Sequence, residues 1–188
     1  MLSAGVVFVG HESSAASAKA VALGVAADQS TEWAPRWDRT LFAAPGVSVP
    51  WDLLVVGFNL LSRWDAAAPL SGALARDLGT EADRARTLAV LLDLRVPAYD
   101  PRLLLVRDSS AGRALLSEWR AQCSDGGDEQ LAFLRALTAI KPLFCALPHV
   151  WLAGAHVRAA MTSAVPSSRI TLPVSSPNPR RSRPVRRK

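Results

Sequence analysis

The chain has 188 residues, of which 49% are hydrophobic, and it carries 22 lysines and arginines against 16 aspartates and glutamates. Six of the cations lie in residues 179–188, which contain no acid, so the remaining 16 cations equal the 16 acids. The positive charge therefore belongs to the C-terminal tail, and this excludes a folded domain with a strongly basic nucleic-acid surface. The length suits one domain with a substantial core.

The N-terminal part of the sequence predicts a strand, a helix and a long loop. Residues 4–9 (AGVVFV) are a short apolar run, typical of a buried strand. The Ala-rich residues 11–27 have high helix propensity, and Ser13 or Ser14 is placed to cap this helix. Residues 28–50 contain two tryptophans and three prolines. They predict an irregular loop that either covers the core or binds a ligand.

The middle of the sequence predicts a strand and two helices. Residues 53–57 (LLVVG) form an unbroken apolar run, which is typical of a strand covered on both faces. Residues 69–78 (PLSGALARDL) predict a helix with a proline in its first turn and a glycine just after its end. Residues 80–83 (TEAD) resemble a capping box with Asp in place of Glu, and they predict a second helix that runs to about Leu92.

The C-terminal part of the body continues the alternation of strands and helices. Residues 102–106 (RLLLV) predict a strand, after which Ser109 or Ser110 caps a helix. Residues 128–140 predict a helix that begins with two acids, which suits the positive end of the helix dipole. Residues 143–147 (LFCAL) predict a final strand.

These elements together predict the α/β class. We expect a single domain of residues 1–164, with a mostly parallel sheet and flanking helices. Ser, Pro and Arg dominate residues 165–188 without periodicity, which predicts a disordered basic tail. The sequence RRSRPVRR in this tail resembles a nuclear-localisation or nucleic-acid patch, and it favours non-specific contact with polyanions.

Three sequence features bear on the cellular compartment: the length of the apolar runs, the character of the N-terminal residues and the spacing of the cysteines. No apolar run reaches the roughly 18 residues of a membrane-spanning helix. The apolar residues 1–10 contain no basic residue and are followed by His11 and Glu12, which argues against a signal peptide. Cys123 and Cys145 form no CxxC pair and are either two free thiols or one disulfide. We expect a cytoplasmic protein, with the nucleus as the alternative that the tail raises.

Several well-known site motifs are missing from the sequence. It contains no GxxxxGK[ST], no GxGxxG after a strand, no GxSxG and no HExxH. This argues against P-loop, Rossmann-type, α/β-hydrolase and zincin sites. His11, His149 and His156 are too far apart in the sequence to indicate a metal cluster.

An ordered series of residues spans positions 97–151. It consists of an aromatic-polar pair, an apolar strand, a helix ending in Trp, an acidic pair, a helix, a strand and a closing Leu-Pro-aromatic segment. The members are Tyr99-Asp100, residues 103–106, Trp119, Asp128-Glu129, Leu147-Pro148 and Trp151. This order resembles the C-terminal half of nucleotide-diphospho-sugar transferases of the GT-A fold.

The resemblance implies transfer of a sugar from a nucleotide-sugar donor to a hydroxyl acceptor. In the family, the acid of the acidic pair lies near the acceptor, where a carboxylate orients or deprotonates a hydroxyl. It therefore implies Asp128 as the first catalytic candidate, followed by Asp100 and Tyr99. From the residues alone, the N-cap of the helix that follows is the role favoured for Asp128.

The sequence departs from the family at the donor site. Such enzymes hold Mn²⁺ or Mg²⁺ on the donor diphosphate with an Asp-x-Asp motif, and this sequence has none. Asp93-Leu94-Arg95 has the spacing with Arg in the second place, and Arg binds phosphate but no metal. Asp93 and Arg95 are thus the candidates for the donor phosphates. The alternatives are a truncated relative, a non-catalytic binding or scaffold module, and a protein that acts on nucleic acid or another polyanion through its tail.

Overall fold

The computed structural model describes residues 3–9, 26–30, 32–44, 47, 49, 51–123 and 126–150. Most of the helix predicted at residues 11–27 lies outside these ranges, and its last two positions belong to a strand. The tail predicted at residues 165–188 also lies outside them, so its disorder, its partners and the domain boundary at 164/165 stay predictions.

The described residues form seven strands and four α-helices. The strands are β1 (Ala4–Val9), β2 (Ala26–Ser30), β3 (Arg39–Ala43), β4 (Ala66–Leu74), β5 (Pro97–Tyr99), β6 (Leu103–Arg107) and β7 (Phe144–Leu147). The helices are α1 (Trp51–Leu60), α2 (Glu81–Leu91), α3 (Ser110–Cys123) and α4 (Glu129–Ile140), and a 3₁₀ helix occupies Ala75–Asp77. The predicted α/β class is confirmed.

All seven described strands belong to one sheet, in the order β2-β1-β3-β6-β4-β5, with β7 paired to β4. The pairs β1–β2, β1–β3 and β4–β7 are parallel. The pairs β3–β6, β4–β6 and β4–β5 are antiparallel. Because β6 lies between β3 and β4 and is antiparallel to both, the strands β1, β2, β3, β4 and β7 point the same way. The sheet is therefore mostly parallel in strand direction, as predicted.

Helices cover both faces of the sheet. Neighbouring residues of a strand face opposite sides, so Val7 belongs to one core cluster and Val6 to the other. Helices α3 and α4 close the first face with Trp119 and Phe133. Helix α1 closes the second face with Leu53. The candidate residues Asp100 and Asp128 lie outside the strands and helices: Asp100 is in the loop between β5 and β6, and Asp128 directly precedes α4.

Helix α2 packs beside α4 through a buried guanidinium. Arg135 of α4 is 3% exposed. It donates from Nη1 to Thr87 Oγ1 of α2 at 2.8 Å and from Nε to Gln122 Oε1 of α3 at 2.8 Å. Since a buried charge needs hydrogen-bond partners, these contacts link the three helices to one another.

The strand predicted at residues 53–57 is wrong, because this apolar run lies inside helix α1. Leu53 and Leu54 are buried, whereas Val55 and Val56 are 49% and 45% exposed. An unbroken apolar run of this length fits a buried strand and a helix equally well. This segment is helical because one face of the helix, with Leu53 and Leu54, packs on the sheet.

The helix predicted at residues 69–78 is also wrong, because strand β4 continues to Leu74 and only a 3₁₀ turn follows. Pro69 pairs with Leu147 at the last register position between β4 and β7. A proline is tolerated where a ladder ends, since its missing N–H breaks no further hydrogen bond. Its carbonyl still accepts a hydrogen bond from the Asp100 N–H at 2.8 Å.

The irregular loop predicted at residues 28–50 contains the end of β2 and all of β3. Strand β3 has five residues and pairs with both β1 and β6. A segment of five residues is too short to show a clear hydrophobic periodicity. The Trp and Pro residues around it are typical of loops, and for this reason the sequence predicts a loop. The ring of Trp33 lies 5.3 Å from that of Phe42, so Trp33 covers the core, as one of the two predicted alternatives states.

The remaining predicted elements are confirmed, with ends shifted by a few residues. Thr80 and Asp83 form the capping box at the start of α2. Strands β6 and β7 and helices α3 and α4 lie where the sequence places them. Ser109 accepts a hydrogen bond from the Gly112 N–H at 3.0 Å, as expected of the residue before α3. Both cysteines are free thiols.

Candidate functional site

Asp100 lies between β5 and β6, and its side chain is 3% exposed. Its carboxylate accepts hydrogen bonds from Arg102 Nε at 2.9 Å and Arg102 Nη2 at 2.5 Å. The backbone N–H of Arg102 donates to Oδ1 at 3.0 Å. Both carboxylate oxygens are therefore engaged by one residue, and this contact raises the pKa of the Arg102 guanidinium.

Asp128 is the N-cap of α4. Its Oδ1 accepts hydrogen bonds from the backbone N–H groups of Gln130 at 2.9 Å and Leu131 at 3.0 Å. The loop that leads to it packs against Asp83, since a Cβ built on Gly127 would lie 2.3 Å from Asp83 Oδ1. The capping role that the residues suggested is thus real. Because both bonds go to Oδ1, Oδ2 has no hydrogen-bond partner among the described residues and can accept a hydrogen bond from a ligand.

Asp100 and Asp128 line one open cleft of about 380 Å³. We name it the carboxylate cleft and define it by its lining residues. They are Asp100, Pro101, Arg102, Asp128, Glu129 and Gln130. Three carboxylates against one guanidinium make the cleft acidic, so it favours ligands that donate hydrogen bonds, such as hydroxyl groups, over anions.

An unpartnered acceptor lies at the wall of the carboxylate cleft. The Oε1 atom of Gln130 is buried and has no hydrogen-bond donor among the described residues. A buried acceptor without a donor costs about 1–3 kcal/mol.

Tyr99 is not at the cleft but in the core. Its ring lies 4.8 Å from the ring of Phe144 in an edge-to-face arrangement, and it also packs against the cluster that contains Leu131. Burial raises the pKa of its hydroxyl. The structure therefore gives Tyr99 a packing role, and the resemblance alone places it in a site.

Asp93 and Arg95 lie together after α2, and neither lines the carboxylate cleft. Arg95 Nη2 donates to Asp93 Oδ2 at 3.0 Å, and Arg95 Nε donates to both carboxylate oxygens. The hydrogen bond from Arg95 lowers the pKa of Asp93 and raises that of Arg95. Each charge already has its partner, so the pair makes a poor site for a diphosphate.

The described residues do not fit a divalent cation. Among them, no three side chains of His, Cys, Asp or Glu converge in a way that could hold a metal ion. Asp93 and Arg95, which have the spacing of the Asp-x-Asp motif that the resemblance leads one to expect, do not fit a metal, because a guanidinium repels a cation. Mn²⁺ or Mg²⁺ on a donor diphosphate therefore has no protein ligand set in this part of the chain.

The sequence reading missed two residues of the cleft, Arg102 and Gln130. A local signal exists for Arg102, because Asp100-Pro101-Arg102 repeats the Asp-x-Arg spacing of residues 93–95. Both segments form the same turn, with the backbone N–H and the guanidinium of Arg bonded to Asp. No local signal marks Gln130, whose importance depends on burial.

Comparison of the chain with protein-family models, with curated proteins and with solved structures gave no match. Within the described residues, no helix has the length and apolar character needed to cross a membrane.

Proposed function

We propose that this chain is a divergent glycosyltransferase-like protein, which transfers a sugar from a nucleotide-sugar donor to a hydroxyl acceptor bound in the carboxylate cleft. The observation that supports the proposal is the meeting of Asp100 and Asp128. The two residues are separated along the chain by β6 and α3 and line the same cleft. The acidic lining suits a hydroxyl acceptor better than an anionic one.

The proposed reaction uses Asp128 on the acceptor side. The acceptor oxygen forms a bond to the anomeric carbon while the bond from that carbon to the diphosphate oxygen breaks. The hydroxyl proton passes to the free Oδ2 of Asp128, because a positioned carboxylate can serve as general base. Asp100 is bonded to Arg102 through both oxygens and acts by holding the cleft wall rather than by taking a proton.

The proposed donor binding does not depend on a metal. The described residues offer no cation site, and a pair such as Asp93–Arg95 neutralises itself. We therefore expect UDP- or GDP-sugars to bind equally well with and without Mn²⁺. Isothermal titration with a panel of both donor types, in the presence and absence of Mn²⁺, tests this. No binding of any donor under either condition would refute the catalytic proposal.

The role of Asp128 is tested by a variant that keeps the helix cap. Asn is as good an N-cap as Asp, so Asp128→Asn removes the base and leaves α4 in place. We expect the release of nucleoside diphosphate to fall by about 10²-fold or more, the usual contribution of a general base. The matched control is Asp108→Asn, because Asp108 is exposed and paired with Arg113 outside the cleft. Equal rates for both variants would remove Asp128 from the mechanism.

The second candidate is a non-catalytic binding or scaffold module. It is favoured by the engagement of both oxygens of Asp100 and of Oδ1 of Asp128 within the protein. If the wild-type protein binds a donor or an acceptor but shows no detectable turnover, the result favours a binding module over an enzyme.

A further inference from the structure

A second cavity, of about 140 Å³, lies beside the carboxylate cleft. We name it the tryptophan pocket. Its lining combines two indole rings, a leucine, a thiol and two charged side chains: Trp33, Leu116, Trp119, Arg120, Cys123 and Glu129. Glu129 also lines the carboxylate cleft. The two cavities therefore adjoin across one side chain.

The aromatic walls of the tryptophan pocket are fixed before any ligand binds. Trp119 is 5% exposed, and its indole N–H donates to the Glu129 carbonyl at 3.1 Å. The rings of Trp33 and Trp119 meet edge to face at 4.8 Å, and Trp119 rests on Phe133 at 5.4 Å. Because the polar atom of Trp119 is already bonded, its ring offers only apolar surface to the pocket.

The size and lining of the pocket select a class of ligand. A cavity of about 150 Å³ with apolar walls admits a benzene-sized molecule. Aromatic walls favour a ring that stacks or meets them edge to face. The charged residues Arg120 and Glu129 complete the lining and favour a polar group on the same ligand.

We infer that the tryptophan pocket binds a single aromatic or alicyclic ring attached to the acceptor, whose hydroxyl lies in the adjoining carboxylate cleft. The acceptor class is then a ring-bearing hydroxyl compound such as an aryl glycoside, and this identification rests on the proposed function. Glu129 lies between the ring and the hydroxyl. The pocket itself is a ring-binding site whether or not sugar transfer occurs.

Ring binding is tested without any transfer reaction, by titration with benzyl alcohol followed through the indole N–H signals in NMR. We expect the Trp119 signal to shift and the Trp64 signal to stay, since Trp64 lines a different cavity next to Leu60. An unmoved Trp119 signal, or equal shifts at both tryptophans, would overturn the inference.

A matched pair of cysteine variants locates the binding. Cys123→Leu fills the pocket, and Cys145→Leu makes the same change at a half-buried cysteine outside it. We expect Cys123→Leu to weaken binding of benzyl alcohol by about tenfold or more and Cys145→Leu to leave it unchanged. Equal affinities for the two variants would refute the pocket as the site.

A measurement on the wild type keeps the test valid if Cys123→Leu fails to fold. Saturating benzyl alcohol should slow alkylation of Cys123 and leave that of Cys145 unchanged. The experiment needs alkaline pH, because burial raises the pKa of the Cys123 thiol to about 11. Unprotected Cys123 would contradict the inference.

Transfer to phenyl and methyl β-glycosides separates this inference from the proposed function. Faster transfer to the phenyl compound supports both. Equal transfer to both compounds supports the function and refutes the ring-bearing acceptor. If neither accepts a sugar while Trp119 still shifts with benzyl alcohol, the pocket stands as a ring-binding site and the proposed function fails.

Discussion

The carboxylate of Asp83, in the cap of α2, lies against the loop that leads to Asp128, the cap of α4: a Cβ built on Gly127 would lie 2.3 Å from Asp83 Oδ1. Asp83 is 2% exposed. Its carboxylate further accepts from the Thr80 hydroxyl at 2.9 Å and from Arg86 Nη2 at 2.6 Å. The local capping box thus also packs against the loop before α4, next to Asp128.

The first prediction concerns acid stability. The hydrogen bond from the Thr80 hydroxyl is the main reason that the pKa of Asp83 falls from 3.8 to about 2. A carboxyl with a lower pKa in the folded state stabilises the fold above its ordinary pKa and loses that contribution as the pH falls through the folded value. We expect the free energy of unfolding to drop between about pH 4 and about pH 2. Asp83→Asn should make this drop smaller, while the lowered pKa values of Asp65 and Asp93 preserve the rest of it. Urea unfolding across this range measures it, and an unchanged pH profile in the variant would contradict the assignment.

The second prediction concerns the loop before α4. A Cβ at Gly127 would lie 2.3 Å from Asp83 Oδ1, whereas a Cβ at Gly126 meets nothing within 4 Å. Gly127→Ala should therefore displace the Asp83 carboxylate and cost about 2 kcal/mol or more of stability, since charged hydrogen bonds are lost. Gly126→Ala should cost about 1–2 kcal/mol, the penalty of a positive φ for Ala. Thermal unfolding of the two variants tests the order, and a larger loss for Gly126→Ala would contradict it.

The third prediction concerns the cap of α4. Asp128→Ala should lower the free energy of unfolding by about 1 kcal/mol, because two backbone N–H groups lose their acceptor. Asp128→Asn should leave stability nearly unchanged. Denaturant unfolding of both variants checks this, and equal losses would show that charge rather than capping accounts for the effect.

The fourth prediction concerns the buried ion pair between Asp65 and Arg107. Asp65 accepts from Arg107 Nη2 at 2.5 Å, from the Ser109 hydroxyl at 2.8 Å and from the Leu143 N–H at 3.1 Å. Although burial pushes the pKa of Asp65 up, these hydrogen bonds outweigh it and hold the pKa below its ordinary value. Asp65→Ala leaves a half-buried guanidinium without its carboxylate.

We expect Asp65→Ala to lower the free energy of unfolding by about 1–3 kcal/mol, because the half-buried Arg107 guanidinium, the Ser109 hydroxyl and the Leu143 N–H all lose their acceptor. The control is Asp108→Ala at the exposed Asp108–Arg113 pair, where a change of about 0–1 kcal/mol is expected. Chemical denaturation of both variants measures the difference. Similar losses of unfolding free energy in the two variants would show that the Asp65–Arg107 pair stabilises the fold no more than the exposed Asp108–Arg113 pair.

Part of the candidate site was readable from the sequence. The sequence suggested both Asp100 and Asp128, and the structure brings them to one cleft. It did not reveal that Arg102 engages Asp100, although the Asp-x-Arg spacing was visible. It placed Tyr99 in the site on resemblance alone, whereas the ring packs on Phe144 in the core. Whether a side chain faces a cleft or the core depends on packing partners from elements that are distant in the chain. Local sequence patterns do not show those partners.

The sequence by itself determined the features that depend on neighbouring residues. The capping box at Thr80, the cap at Asp128 and the amphipathic helix α4 follow from contacts within a few positions. Only the tertiary structure decided the features that depend on distant partners. The run at residues 53–57 became a helix because one of its faces packs on the sheet, and Pro69 entered a strand because the ladder to β7 ends there. The meeting of Asp100 with Asp128 belongs to this second class, since the packing of α4 against the sheet creates it.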